Sequence, residues 1–480
     1  MADMRIQYLE QMIGNGHPTK VDTLNRLALV EHNTDGTHKY GITGLPHIDI
    51  REFLPYSFVT NGSSDYTTQI QQANDSIDTS GGNLVFPIGT WKFNLTASNG
   101  VSIEGQSVKS TIFRPATDEA VIKTKLTDNT ANVVYKNFQI YGDTTMTTQQ
   151  DGIRLKATTA GKFIMNVILD NVQIRECGRY GLTTYGSVTT GPFVQQLTLR
   201  NVNIYDCVRS GWYMDGYLFE TFVENTFIYR NGDATYPNID AVLNGASGAV
   251  NRMKWVSGGV NHSNYPTTGI AARFSHAKGV SFDNVDLEEA NKMLVFIGNQ
   301  TRQISLTNNN FASNNNVTSA IEIEDTESAV IENNGFTVTG ATMTNAIYDN
   351  ASSTSRIKGL RIGFNRYGSN VTNTVNMSYN LTIATGVIYA YRDLLRIDTE
   401  AAAASDDIDY VYDQSGTASV AKLQHGQTIT IRALNVAHVV VVKHNTGNIM
   451  LKAGADTTLN ATHITVTLKW DINLAKWLEI

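Results

Sequence analysis

The run Asp283-Asn284-Val285-Asp286-Leu287-Glu288-Glu289 packs four carboxylates into seven residues. Hydrolysis of a glycosidic bond uses two carboxyl groups, about 5–5.5 Å apart when configuration is retained and about 6.5–9.5 Å apart when it is inverted. On an extended strand, side chains alternate between faces, so residues i and i+2 share a face at roughly 6.5–7 Å. If the run is a strand, Asp286 and Glu288 stand side by side near the inverting separation.

Strands of that kind are written into the flanking sequence as a degenerate repeat. Its frame is an apolar-x-apolar pair, one polar residue, Asn, two further residues and another apolar residue. Val167-Ile168-Leu169-Asp170-Asn171-Val172-Gln173-Ile174 is one copy, and Leu197-Thr198-Leu199-Arg200-Asn201-Val202-Asn203-Ile204 is the next. Others centre on Asn225, Asn284, Asn308 and Asn333, with a partial copy at Asn137. Trp255-Val256-Ser257-Gly258-Gly259-Val260 fills the gap between Asn225 and Asn284, with Ser257 in the Asn position. Asn171 to Asn201 is 30 residues, Asn201 to Asn225 is 24, and Asn308 to Asn333 is 25. A period of this size with two short strands per unit marks a solenoid; propeller blades need longer units, and leucine-rich repeats need a different Leu and Asn spacing. The middle of the chain is therefore expected to be a parallel β-helix, right-handed by the crossover rule. The recurring Asn suits a turn whose amides stack from coil to coil.

In register, the repeat becomes a ruler. Coils rise by about 4.8 Å, which sets Glu224 about 9–10 Å from Asp283, two coils earlier in the same frame position. The catalytic candidates are Glu224, Asp283, Asp286 and Glu288. Lys254 lies near their row on the intervening coil. Asn261 precedes Glu288 by one coil, His262 precedes Glu289, and Tyr229 comes one coil earlier still. These four are substrate-binding candidates. So are Trp212, Tyr213, Tyr236 and Tyr265, in or near insertions between strands, because aromatic faces pack on sugar rings. Competing readings are solvated carboxylates and aromatics that anchor loops or line a trimer interface. Asp215, Glu220 and Asp240 are weaker acidic candidates. Arg252, Lys254, His262 and His276 are the groups a β-eliminating lyase could recruit.

The composition agrees with stacked strands. Of 480 residues, 41% are hydrophobic but only 17% charged, and there are 8 prolines. A net charge of −7 and the lack of any basic run argue against nucleic acid as a partner. Cys177 and Cys207, the two cysteines, occupy equivalent frame positions and read as inward apolar residues, with no metal site or cofactor implied. There is no apolar run long enough for membrane insertion. The N-terminus lacks a signal-peptide core, so synthesis in a cytoplasm is expected, with a route other than secretion if the protein acts outside a cell.

Both ends depart from the repeat. Residues 1–55 read as a polar attachment or linker segment, with a short helix over Met4–Ile13 and a turn at Asn33–Gly36. Asp65 or Thr67 can cap a helix that buries Ile70, Ala73 and Ile77, followed by Gly81-Gly82, a strand, and Pro87-Ile88-Gly89-Thr90-Trp91. This cap opens a β-helix domain over 56–395. Alternating strands in 396–480, at Thr428–Ile431, Val436–Val442, Asn448–Leu451 and Ile464–Leu468, read as a small antiparallel, sandwich-like β domain with a hairpin turn at His444–Asn448. It is a candidate trimerisation or glycan-binding domain.

Asp65 to Trp91 resembles the entry motif of the pectate-lyase-like right-handed β-helix superfamily. The last strands, with Gly447-Asn448-Ile449 and Trp477-Leu478-Glu479, look like the end domain of many bacteriophage tailspikes. Asn25 to Gly36 is similar to the N-terminus of phage tail proteins. The resemblance implies a homotrimeric tailspike at the virion tail, made in the host cytoplasm and acting at the bacterial cell surface. Its N-terminal segment would join a phage tail or adaptor protein. Its substrate would be a bacterial surface polysaccharide (capsule, O-antigen or exopolysaccharide), bound and depolymerised. The excess of carboxylates over cations favours glycoside hydrolysis. A lyase or a non-enzymatic receptor-binding fibre is the alternative.

Overall fold

The computed structural model describes residues 46–480 apart from 157, 160, 187–192, 243–249, 299–300, 325, 350–359, 378–380, 391–393, 414–417, 422, 424, 436 and 462–463. The expected helix at Met4–Ile13 and the turn at Asn33–Gly36 lie outside the described residues, as does Val436. The fold is a parallel β-helix, and the chain divides into two compact units, residues 1–213 with 221–227 and residues 214–220 with 228–480.

In the first unit, three inward rows show how the sequence builds a coil. Leu84, Ile103, Tyr135, Leu169 and Leu199 stack directly, coil upon coil. Trp91, Phe113, Ile140, Ile174 and Ile204 form a second row. Leu95, Ile122, Ile153 and Leu182 form a third. Every one of these residues is fully buried. Burying such a side chain contributes about 1.5–3 kcal/mol. The repeat frame captures the first two rows, but each coil also carries a third strand, such as Ile153–Lys156 or Leu182–Tyr185. Insertions of variable length separate that strand from the Asn frame, which hides its periodicity.

Between the first two rows sits the recurring asparagine. Asn137, Asn171 and Asn201 have φ of 61°, 54° and 54°. This left-handed corner is one that Asn tolerates better than most side chains. The Asn171 amide donates to Asn137 Oδ1 at 2.9 Å, and Asn225 donates to Asn201 Oδ1 at 2.7 Å. Cys177 and Cys207 are buried and unbridged. At the start, the helix Thr67–Asp75 buries Ile70 and Ala73. Asp65 Oδ1 accepts from the Thr67 backbone N–H at 2.9 Å ahead of it. Trp91 is fully buried and donates to the Pro87 carbonyl. The strand His47–Asp49 already pairs in parallel with Gly82–Phe86, inside the segment that the sequence sets apart.

The second unit repeats the plan. Trp255, Phe282, Leu306 and Ile331 form one inward row, and Val260, Leu287, Phe311 and Phe336 another. Ser257 takes the left-handed corner at φ 58°, as Asn284, Asn308 and Asn333 do on later coils. Beyond the coils, the C-terminal strands share one buried cluster that includes Ile431, Val442, Leu468, Trp470 and Trp477. Thr428–Ala433, Thr465–Asp471 and Lys476–Glu479 pair antiparallel, as expected. Leu394–Asp398 joins Thr428–Ala433 in parallel, and Ser405–Ile408 joins Val439–Val442 in parallel. The turn at His444–Asn448 is not a hairpin. The strand before it pairs with Ser405–Ile408 and Thr457–Leu459, while Ile449–Met450 pairs with Lys476–Glu479. Turn residues fix a chain reversal, but the partner of each strand is a tertiary choice.

A buried asparagine stack in the second unit exposes the fold to test. Asn334 is fully buried; its Oδ1 accepts from the Asn309 backbone N–H at 2.9 Å, and its amide donates to the Leu306 carbonyl at 2.9 Å. Replacing Asn334 with Ala orphans both groups at roughly 1–3 kcal/mol each. Urea unfolding is expected to show a lower midpoint at an unchanged slope. A wild-type midpoint would remove the stack from the stabilising interactions.

Candidate functional site

The acidic run folds as two short strands around a corner. Lys278–Asp283 ends at Asn284, and Asp286–Glu288 continues beyond it. Phe282, Val285 and Leu287 point into the core, so Asp283, Asp286 and Glu288 face outward. Asp286 stands between Gly259 and Asn310 on the flanking coils and is exposed. Glu288 stands between Asn261 and Ala312 and is half-buried. Partial burial pushes the Glu288 carboxyl above the ordinary glutamate range. The Asn261 amide, 3.4 Å away, opposes the shift, and the charges of Asp286 and Glu289 add to it. Along one strand, then, a carboxyl held toward its protonated form lies beside an exposed one.

Neighbouring elements fix that strand in place. The His262 backbone N–H donates to the Glu288 carbonyl at 3.1 Å. Glu289 turns the corner with φ 52°. Its carboxylate accepts from the Asn314 backbone N–H, the Asn314 and Asn315 amides and the Ser313 hydroxyl, at 2.7–3.3 Å. Sequence reasoning left this clamp out, although the run Asn314-Asn315-Asn316 one coil later was its signal. It makes Glu289 a structural carboxylate.

Two insertions form a wall beside Asn261. Asn238 donates to the Asn261 carbonyl at 2.8 Å, and Asn264 to the Arg230 carbonyl at 3.0 Å. His262 Nε2 lies 3.3 Å from the Asp233 carbonyl. The wall carries Tyr236, half-buried, and Tyr265, 38% exposed; the Tyr265 backbone N–H donates to the carbonyl of His262. Tyr229 is half-buried on the same unit, with the Arg230 guanidinium 5.1 Å from its ring.

Other sequence candidates fall elsewhere. His262 is fully buried, its ring packs against Gly269 and Tyr265, and burial holds its pKa below the usual histidine value. It anchors the wall and does not offer its ring to a ligand. Trp212 is also fully buried, donating to Thr184 Oγ1 at 3.3 Å, so it is core rather than subsite. Both residues sit at inward positions that aromatic character alone does not reveal. Tyr213, in the first unit, stacks on Tyr180 at 4.5 Å. Lys254 is exposed opposite Ser281. Asp283 Oδ1 accepts from the Asn308 amide at 2.8 Å and the Thr307 hydroxyl at 3.3 Å, which commits it to the coil-to-coil ladder. Glu224 belongs to the first unit. There Glu104, Lys136, Asp170 and Arg200 occupy one row on successive coils, and the charge of Glu224 acts on Arg200. Its setting is a ladder of alternating charge. Asp240 is bound by both arms of Arg273 at 2.9 Å, and Arg252 pairs with Glu220 at 3.2 Å. Among the described residues, no group of three or more His, Cys, Asp or Glu could hold a metal ion.

No protein-family model and no curated protein matches the chain. Solved structures do. The A-module of an Azotobacter vinelandii mannuronan C-5 epimerase superposes with a TM-score of 0.52 at 14% identity, over 69% of this chain and 97% of that one. A tailspike from an Acinetobacter baumannii bacteriophage, a capsular polysaccharide depolymerase, gives 0.42 at 14% identity over 68% and 63%. The catalytic unit of a Streptomyces thermodiastaticus α-1,3-glucanase gives 0.36 at 13% identity over 70% and 71%. The likeness to the epimerase module is one of fold.

The raised Glu288 carboxyl has a consequence for stability. Between the ordinary glutamate pKa and the raised one, the folded state binds more protons than the unfolded state, so stability falls as pH rises through that window. Glu288→Gln removes this fall. Thermal melts at about pH 4 and about pH 7 should show the variant gaining on wild type at the higher pH. A difference that does not change with pH would contradict the burial effect.

Proposed function

We propose that this chain hydrolyses a bacterial surface polysaccharide, with Glu288 as general acid and Asp286 as the carboxylate that activates water. The observation that carries the reading is the Asp286–Glu288 pair, one exposed and one held toward protonation, on adjacent outward positions of a single strand. Their roughly 6.5–7 Å strand spacing falls at the lower end of the inverting range. A general acid above the ordinary glutamate range is what protonation of a leaving-group oxygen requires near neutrality. Asn261 keeps Glu288 oriented, while Tyr236 and Tyr265 offer faces for sugar rings. Asp283 has structural partners, and Glu224 lies in the field of Arg200 on the charge ladder, which leaves them secondary candidates. The same fold carries a mannuronan C-5 epimerase, so a glycan-acting reading has a precedent on it.

The wider reading is a homotrimeric tailspike at a virion tail. In it, residues 1–55 attach to a tail or adaptor protein, 56–395 act on the glycan, and 396–480 serve trimerisation or glycan binding. The entry motif from Asp65 to Trp91 and the C-terminal strands support it.

Incubation with purified capsules and O-antigens, followed by mass spectrometry, tests the chemistry. Products one water heavier than the broken chain are expected. Glu288→Gln and Asp286→Asn should each lower the rate by roughly 10²–10⁴-fold while glycan binding persists. Unsaturated sugar ends would replace hydrolysis with a lyase reaction, and intact glycan that still binds would leave a receptor-binding fibre. Full activity in both variants would discard the pair.

A further inference from the structure

The first unit carries a second outward row that the proposed hydrolysis does not use. Lys92 stands opposite Arg114 on the next coil. Arg114 lies against Tyr141, its guanidinium carbon 4.5 Å from the ring centroid. Arg175, in register with Tyr141 on the following coil, lies 4.1 Å from the same ring. Tyr205 continues the row opposite Arg175. The preceding residues, Trp91, Phe113, Ile140, Ile174 and Ile204, are all fully buried, so by alternation this row faces outward, and all five of its members are half-buried. One tyrosine ring is thus clasped between two guanidinium groups.

The arrangement costs electrostatic energy, because two like charges share one ring. Their counter-charges are few. Arg175 Nη1 is 3.6 Å from Glu176 Oε1, and its buried Nε has no hydrogen-bond partner. Asp65 pairs in register with Lys92, and Asp143 feels the charges of Arg114 and Lys92 while its own carboxylate accepts from Thr145. Among the described residues, neither Lys92 nor Arg114 forms an ion pair. In a guanidinium that stacks on an aromatic face, the N–H edges stay available to an oxyanion.

We propose that the row Lys92–Arg114–Tyr141–Arg175–Tyr205 is a binding strip for a carboxylate-bearing polysaccharide lying along the stack of coils. Coils repeat every 4.8 Å or so, close to the advance of one sugar in an extended pyranose chain, so successive sugars meet successive row members. The guanidinium edges fork onto carboxylates, while the Tyr141 ring between them holds the two guanidinium groups in place. A nucleic acid fits less well. Three cations on a chain of net charge −7 fall short of the roughly 6–10 phosphate contacts that such binding uses. The strip does not depend on the hydrolytic pair, since binding is read without cleavage.

The test is affinity electrophoresis of the full chain through gels containing polygalacturonate, alginate or hyaluronate, with neutral dextran and a single-stranded oligodeoxynucleotide as controls. Retardation by at least one carboxylated chain is expected, weakening with salt. It should fall roughly tenfold or more in Arg114→Gln and in Arg175→Gln, both checked for a wild-type melting profile. Lys92→Gln, outside the stacked trio, gives a second reading if either arginine variant fails to fold. Tyr141→Phe should keep binding. No retardation by any of the three acidic chains, equal retardation by dextran, stronger retardation by the oligonucleotide, or wild-type retardation in the folded cation variants would each overturn the strip.

Discussion

The structure depends on one constraint: each coil must place its backbone in parallel register on the coil before it. That register is held at a left-handed corner, where Asn137, Asn171 and Asn201 bend the chain between two strands. Asparagine does two things there. It tolerates a positive φ, and its amide reaches the amide of the neighbouring coil. Once the corner is fixed, residues before and after it alternate inward and outward with no freedom to slip, because a one-residue shift would turn a core row to solvent.

The same constraint orders the surface. Outward residues on successive coils fall into rows, so a row is a surface with a built-in pitch. In the first unit one row alternates in sign through Glu104, Lys136, Asp170 and Arg200, and satisfies itself. Another, through Arg114, Tyr141 and Arg175, stacks cations on an aromatic ring and leaves donors over. In the second unit, the row through Asn261 and Glu288 meets a wall made of two insertions. Rows that neutralise themselves stabilise the stack.

Much of this was legible in advance. The Asn-centred repeat predicted the inward rows, the corner, the Ser257 substitution and the outward placement of Asp286 and Glu288, because period-two alternation leaves a direct imprint on sequence. The third strand of each coil was not legible, since variable insertions blur its spacing. Nor was the burial of Trp212 and His262, since an aromatic residue suits a core and a sugar subsite equally well. The Glu289 clamp needed Asn314 and Asn315 brought to it by the next coil, and the turn at His444–Asn448 gave no indication that it joins strands of different sheets.

By itself the sequence determined the architecture and which residues face outward, because both follow from local periodicity and corner chemistry. Only tertiary structure decided which carboxylates are tied to neighbouring coils and which stands half-buried beside an exposed one. Asp283 is held by Asn308, Glu289 by Asn314 and Asn315, and Glu224 acts on Arg200, whereas Glu288 is half-buried beside Asp286. The reason is physical. A carboxyl's state is set by the burial and the donors around it, and here these come from neighbouring coils some two dozen residues away in the chain, as Asn308 does for Asp283.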